Sequence, residues 1–194
     1  NMGITSAKTP TSEATTYEKW FKKLGSGWGA APSVQIIVDN SLIVMSANHI
    51  YKLDLNTGDI LQTGDMVAAT NFGYTPPTYA DGMIFAPLAD GRVQAFNAET
   101  LESLWVYQDT LKGQSLSPIT YSDGYIYTGF WNAETKDANY VCIPVTDEDP
   151  TNAQEAKEAA WQYTSLGGFY WAGSVVRGYY VVFSTDHGTS GSDG

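Results

Sequence analysis

Aromatic side chains near glycines are the residues of this sequence best suited to binding a ligand. Four of them, Trp28, Tyr74, Tyr170 and Trp171, lie within two residues of a glycine. An aromatic face beside flexible backbone can stack on a sugar or hold a peptide. The same rings could instead pack between β-sheets, which also require large apolar side chains. Trp131 lies in a polar stretch and is a second candidate, for a surface that contacts a partner.

No residue pattern typical of catalysis accompanies these aromatics. The chain has no G-x-S-x-G nucleophile elbow, P-loop or H-E-x-x-H motif. Cys142 is the only cysteine, so neither an intrachain disulfide nor a thiolate zinc site can form. The acidic run 147–149 could bind Ca²⁺ weakly, but it lacks the alternating ligands and turn glycine of a calcium loop. We therefore predict no catalytic residue and no metal site, with weak Ca²⁺ binding as the alternative.

The charge balance argues against two classes of partner. The chain has 10 Lys and Arg residues against 21 Asp and Glu, a net charge of −11. Nucleic acids and anionic membrane surfaces both attract basic proteins, so neither is an expected partner. No window approaches the ~18 apolar residues of a membrane-spanning helix, so we expect no membrane insertion. Low lysine with abundant Tyr, Thr, Asn and Gly resembles an exported bacterial surface protein.

The elements that would position these residues repeat along the chain, which is informative about the fold. A two-residue turn followed by a β-rich run occurs four times, beginning at Asp39, Asp81, Asp123 and Arg177. Asp-Gly and related pairs supply the positive φ of tight hairpin turns. The first three turns are evenly spaced. The last interval is longer, and the loop 147–160, which could hold a helical turn, explains most of the excess.

A second motif recurs downstream of these turns. Asp54 and Thr57 align with Asn97 and Thr100. An Asp or Asn side chain can accept hydrogen bonds from amides two residues later, and the Thr hydroxyl can help to close the loop. The motif therefore predicts a strand, a side-chain-stabilised turn and another strand.

A tryptophan recurs in the closing strand of the repeats, at Trp20, Trp105 and Trp161. A period of about 42 residues with four short strands is the size of a β-propeller blade. A β-sandwich also has closely spaced strands, but it has no reason to repeat the turns and tryptophans in phase. The sequence therefore predicts an all-β fold: a β-propeller, or part of one, with about three and a half four-stranded antiparallel blades.

These repeats resemble a known family. YKLDLNTGDIL (51–61) and VQAFNAETLESLW (93–105) resemble the blade motif of pyrroloquinoline-quinone-like, or quinoprotein dehydrogenase-like, propeller repeats. GGFYWAGSVV (167–176) resembles propeller domains of clostridial-type cell-surface proteins. The quinoprotein enzymes stack their cofactor between a tryptophan and a disulfide of adjacent cysteines, beside Ca²⁺ and a catalytic Asp. A single cysteine cannot supply that disulfide, so we expect no cofactor.

The repeats divide the chain into a leader, a closing strand, three blades and a partial blade: 1–16, 17–24, 30–66, 73–109, 115–165 and 170–194. The propeller repeats thus span 17–194. The Ser/Thr-rich leader is expected to be flexible. Three explanations for the incomplete ring stay open: a fragment lacking the remainder of the parent chain, a four-blade ring closed by the Trp20 strand, or a homodimer.

The expected function is that of a non-catalytic binding or scaffold module of an exported bacterial surface protein. In a propeller, the segments preceding the inner strands surround one mouth of the channel, where the four aromatics would recognise a protein or glycan. One alternative is an enzyme, either a degenerate quinoprotein or another channel-centred hydrolase or lyase. Another is an assembly platform that adds strands at a blade edge, resembling the outer-membrane assembly propeller.

Overall fold

The computed structural model describes residues 12–70 and 75–186, which form an all-β arrangement. Within those residues there are fifteen β-strands and two short 3-10 helices, Glu13–Thr15 and Trp28–Ala30. The strands build three blade-like sheets and one separate hairpin. The predicted fold, a partial β-propeller of about three and a half blades, is confirmed.

Within each blade, the strands lie side by side in the order of the chain, from the inner strand to the outer strand. The first blade contains β1 (Ile36–Val38), β2 (Ser41–Ser46), β3 (His49–Asp54) and β4 (Ile60–Asp65). The second contains β5 (Thr78–Ala80), β6 (Met83–Leu88), β7 (Arg92–Asn97) and β8 (Ser103–Gln108). The third contains β9 (Thr120–Ser122), β10 (Tyr125–Gly129), β11 (Asp137–Pro144) and β13 (Trp161–Leu166), with β12 (Glu155–Lys157) between the last two in the chain. The terminal hairpin consists of β14 (Val175–Arg177) and β15 (Tyr180–Val182).

Tight turns join the inner strand of each blade to the second strand. Asp39, Asp81 and Asp123 begin the first three turns with φ values of 51°, 50° and 50°. Asp tolerates this left-handed region better than most residues because its short polar side chain can bond locally.

The turn of the terminal hairpin lies one residue later than the sequence predicted. Arg177 is the last residue of β14 and pairs with Tyr180, so the turn is formed by Gly178 and Tyr179. Gly178 has a φ of 59°. Glycine has no Cβ to oppose that conformation, which is the reason that the turn is centred there.

The core lies between neighbouring blades, and the second blade is buried on both faces. In β6, Ile84 and Ala86 pack toward the first blade, while Phe85 packs toward the third. This alternation is the two-residue period of a β-strand. A strand buried on both faces can be apolar at successive positions, which is the case from Met83 to Leu88.

Threonine hydroxyls also join the inner strands of successive blades. Thr78 Oγ1 donates to the Ile119 carbonyl at 2.9 Å, and Thr120 Oγ1 donates to the Ser174 carbonyl at 2.9 Å. The corresponding first residue of β1 is Ile36, which has no hydroxyl. The hydroxyl contacts therefore connect the second blade to the third and the third to the terminal hairpin.

Two further expectations differ from the structure. The loop 147–160, which could have held a helical turn, instead contains a strand: its residues Glu155–Lys157 form β12, which pairs in parallel with β8 and covers the outer edge of the second blade. Residues 17–24, expected as a closing strand, contain no strand. A strand requires a partner, and the described residues contain no third strand for the blade to which this segment would belong. The domain boundaries stay a prediction.

Candidate functional site

The repeated Asp/Asn–Thr motif forms two matching turns. The Asp54 carboxylate accepts hydrogen bonds from the amides of Asn56 and Thr57, at 2.7 and 2.9 Å. Asn97 Oδ1 accepts the equivalent bonds from the two amides that follow at 99 and 100, at 2.8 and 3.1 Å. The Thr57 hydroxyl donates to Asp59 at 2.8 Å, and the Thr100 hydroxyl makes the matching bond to the residue two positions later. These bonds stabilise the turn between the third and fourth strands of a blade.

The repeated tryptophans contact the following blade. Trp105 in β8 is fully buried, and its Nε1 donates to the Val145 carbonyl of the third blade at 3.0 Å. Trp20 makes the same kind of bond to the Leu55 carbonyl of the first blade at 3.1 Å. Both acceptors immediately follow the third strand of their blade. Trp161 holds the equivalent position in β13 but is 40% exposed, because the terminal hairpin supplies only two strands beside it.

Four of the five aromatics singled out from the sequence line one cleft. The aromatic cleft has a volume of about 560 Å³ and is lined by Trp28, Gln114, Leu116, Trp131, Glu134, Tyr170 and Trp171. Most of these residues come from the segments that precede β1, β9 and β14, so the cleft lies where inner strands begin. Tyr74 lies outside the described residues. The predicted partner surface at Trp131 and the predicted channel mouth therefore share a single cleft.

Backbone hydrogen bonds hold the segments that form the aromatic cleft. Gln114 and Trp131 exchange amide–carbonyl bonds of 2.7 and 3.0 Å, and the Trp171 amide donates to the Leu116 carbonyl at 3.2 Å. Trp171 has a φ of 65°. That conformation is strained for a bulky residue, costs about 1–3 kcal/mol, and is found most often at functional sites. The residue is 61% exposed.

The rings of the aromatic cleft meet at steep angles. The centroids of Trp131 and Tyr170 are 5.8 Å apart with an interplanar angle of 65°, and those of Tyr170 and Trp171 are 5.8 Å apart at 77°. The pKa of the Tyr170 phenol is raised, by loss of solvation first and then by the nearby carboxylates of Asp186 and Glu134. The cleft thus combines aromatic walls with a negative electrostatic field.

Two polar residues of the cleft were not identified from the sequence. Gln114 is two residues before Leu116, and its backbone pairs with that of Trp131. This pairing joins distant segments, so the sequence pattern did not reveal it. Glu134 follows Trp131 in the same loop, but the spacing alone did not indicate that its side chain faces the aromatics.

The central channel offers a different chemistry. It is lined mainly by the inner strands β1, β5, β9 and β14 and the prolines that precede them, and its described lining consists of apolar, hydroxyl-bearing and glycine residues. No group of three or more His, Cys, Asp or Glu side chains in 12–70 and 75–186 is arranged to hold a metal ion. Cys142 is buried in β11, and burial raises the pKa of its thiol. These residues do not fit a quinone cofactor held by adjacent cysteines and a metal.

The acidic run 147–149 is bonded to other residues of the same loop. Glu155 Oε2 accepts hydrogen bonds from the amides of Glu148 and Asp149, both at 2.9 Å. The nearly buried Lys157 ammonium lies 3.3 Å from the carboxylates of both Glu148 and Glu155. Two of the local carboxylates are thus already paired with one cation of the chain, and Ca²⁺ binding here stays a prediction.

Comparison with known families and structures gives one family match. The family model described as outer membrane protein assembly factor BamB, a pyrroloquinoline-quinone-like repeat model, matches residues 11–134. No curated protein sequence matches the chain.

Several solved structures are similar at low identity. The computationally designed Ika8 protein superposes with a TM-score of 0.59 at 14% identity, over 82% of this chain and 44% of that one. A europium-containing methanol dehydrogenase gives 0.52 at 18% identity, over 74% and 27%. The quinohemoprotein alcohol dehydrogenase of Comamonas testosteroni gives 0.54 at 16% identity, over 70% and 22%. The chain spans less than half the length of each, and the likeness supports the propeller fold.

Proposed function

The chain belongs to the pyrroloquinoline-quinone-like propeller family whose model is described as outer membrane protein assembly factor BamB, and on that premise we propose that it is a non-catalytic binding module. It recognises a protein or glycan partner through the aromatic cleft. We also propose that it acts outside the cytoplasm, displayed at a bacterial cell surface. The family's name and the acidic, lysine-poor composition support this location. Among the described residues, no helix is long and apolar enough to cross a membrane.

The observation that carries the proposal is the aromatic cleft itself. Aromatic residues from three separate parts of the chain converge there, and Trp28 and Trp171 expose 73% and 61% of their surface. Concave sites with aromatic walls and a few polar groups are typical of ligand binding. Backbone hydrogen bonds join segment 114–116 to Trp131 and to Trp171, so these parts of the cleft are ordered before a ligand arrives, which reduces the entropy lost on binding.

Arrays of glycans and peptides, probed with the labelled chain, test this function. Trp28→Ala and Trp171→Ala should each reduce binding to any retained ligand by at least tenfold. Tyr179→Ala is the matched control, because Tyr179 is a fully exposed aromatic in the turn of the terminal hairpin, outside the cleft. Retained binding in both tryptophan variants, or the absence of any ligand on both arrays, would contradict the proposal.

A second candidate function is strand addition at the terminal hairpin. The described sheet ends at β15, with no further strand paired to it, and its residues Tyr180 and Val182 are exposed. An unpaired edge can accept a strand from a partner. The description of the family as an assembly factor supports a role that involves binding other proteins. Val182→Lys should block such pairing, since a charge on an edge strand opposes it. Unchanged partner binding in this variant would exclude the edge.

We also propose a partner for the two exposed ends of the array of blades. This partner is a second copy of the chain or the remainder of a longer chain. Large apolar side chains are exposed at both ends of the array, including Phe21 and Leu61 at one end and Tyr163 and Tyr180 at the other. Such surfaces are unusual on isolated monomers. Light scattering should therefore show a mass above 21.1 kDa that rises with concentration. A constant mass of one chain would exclude the second copy.

A further inference from the structure

The charge and shape of the aromatic cleft restrict the ligand that it can take. Its seven described lining residues include one charged side chain, the half-buried carboxylate of Glu134. The Asp186 carboxylate lies close to the Tyr170 phenol and adds to the negative field. The lining therefore favours a positive group and opposes an anion.

Ring orientation distinguishes between a compact ligand and a flat one. A flat sugar ring stacks on one aromatic face, for which a single exposed ring suffices. Here Tyr170 lies between Trp131 and Trp171 at interplanar angles of 65° and 77°. Steeply inclined rings form a corner, and a compact group placed in it can approach more than one ring. The negative π faces of Trp and Tyr attract an ammonium group within about 6 Å of the ring centroid.

From these contacts we propose that the aromatic cleft binds the ammonium group of a lysine side chain presented by a protein partner. This inference rests on the proposed binding function and names its ligand chemistry. A basic partner segment is also complementary to a chain with a net charge of −11. Electrostatic complementarity of this kind favours encounter with a basic partner and disfavours acidic ones.

Glu134 and the rings have separate parts in this recognition. The Glu134 carboxylate pairs with the ammonium charge, while the rings contact the apolar stem and the polarised methylene next to the nitrogen. The Trp171 backbone is tied to Leu116 by a hydrogen bond, and its ring contacts Tyr170. A ligand of the same shape without the charge would keep the stem contacts and lose the attraction to both the carboxylate and the π faces.

A pair of peptides tests the role of the charge. The probes are acetyl-Gly-Lys-Gly-amide and the same peptide with its lysine ε-nitrogen acetylated, which removes the charge and keeps the stem. Binding is followed by the NMR shifts of the six tryptophan indole N–H signals. We expect the cationic peptide to bind at least fivefold more tightly, with shifts at Trp28, Trp131 and Trp171. Affinity should fall as salt is raised, since screening weakens exposed charge pairs.

Variants separate this inference from the broader function. Glu134→Gln should weaken the cationic peptide at least fivefold and leave the acetylated peptide unchanged. Glu99→Gln is the control with the same change in net charge, because Glu99 is exposed in the turn after β7. It should leave both affinities unchanged.

Two results would overturn the inference. Equal affinity for the two peptides would show that the cleft binds by shape alone, and it would leave the proposed binding function standing. Failure of both peptides to shift any cleft indole would exclude lysine as the ligand. If neutral oligosaccharides from the glycan array bound in that case, the binding module would remain with a different ligand class. If nothing bound on either array, both proposals would fail.

Discussion

Replacing Trp105 with phenylalanine tests how neighbouring blades are held together. The indole is fully buried, and its N–H donates to the Val145 carbonyl of the next blade at 3.0 Å. Phenylalanine keeps part of the ring but removes the donor, which leaves a buried carbonyl without that partner at a cost of about 1–3 kcal/mol. The vacated volume adds about 1 kcal/mol. The expected loss in the free energy of unfolding is therefore about 2–4 kcal/mol.

Trp161→Phe is the matched control, because Trp161 occupies the same place in the next blade. Its side chain is 40% exposed, so the substitution should cost less than about 0.5 kcal/mol. Urea denaturation followed by far-UV circular dichroism measures both variants against the wild type. A lowered midpoint with an unchanged slope would show that stability, and not the extent of unfolding, had changed.

Equal losses for the two variants would refute the reasoning, provided that light scattering shows a monomer under the same conditions. In a dimer, the second copy could cover Trp161 and make it as important as Trp105. Measuring the mass beside the denaturation curves therefore separates these two cases.

Three further predictions follow from the turns and the cleft. The amides of Thr57 and Asn56 lower the pKa of the Asp54 carboxyl, so its contribution to stability is present above its usual value of 3.8 and is lost as pH falls through the lower folded value. Asp54→Asn should keep the turn, as Asn97 does. The free energy of unfolding of this variant should therefore fall less than that of the wild type when the pH is lowered. Gly58 has a φ of 73°, and a Cβ there would collide with the Trp20 ring, so Gly58→Ala should destabilise the chain by at least about 1 kcal/mol and shift its tryptophan fluorescence. Trp171→Gly removes both the strain of a positive φ and the contact of the ring with Tyr170, which have opposite effects on stability, so thermal denaturation should show stability within about 1 kcal/mol of the wild type although ligand binding is lost.

The sequence was informative wherever a structure depends on local backbone geometry. The turns at Asp39, Asp81 and Asp123 could be predicted, since their residues tolerate positive φ and the next strand begins directly afterwards. The error at Arg177 has the same origin: either neighbour of a single glycine can complete the turn. Leu101 takes the left-handed conformation of Gly58, with a φ of 59°, because burial in the core compensates for the strain. That compensation could not be read from the sequence.

Contacts between distant segments could not be predicted from patterns. From the sequence, the loop 147–160 was an insertion in the third blade. In the structure, its strand β12 pairs with the second blade, because the edge of β8 offers free hydrogen-bonding groups. The three tryptophans looked equivalent, and the strands on either side decide how far each is buried: Trp105 lies between two complete blades, whereas Trp161 faces a two-stranded hairpin and Trp20 has no strand of its own.

The repeat by itself determined that this chain is a partial β-propeller, because a blade is built from turns and alternating strands whose signals lie within a few residues of each other. It also identified the aromatics that could bind a ligand. Only the tertiary structure decided that Trp28, Trp131, Tyr170 and Trp171 share one cleft with Glu134. Which segments meet at the mouth depends on how the blades pack around an axis, and that packing is set by long-range burial between sheets.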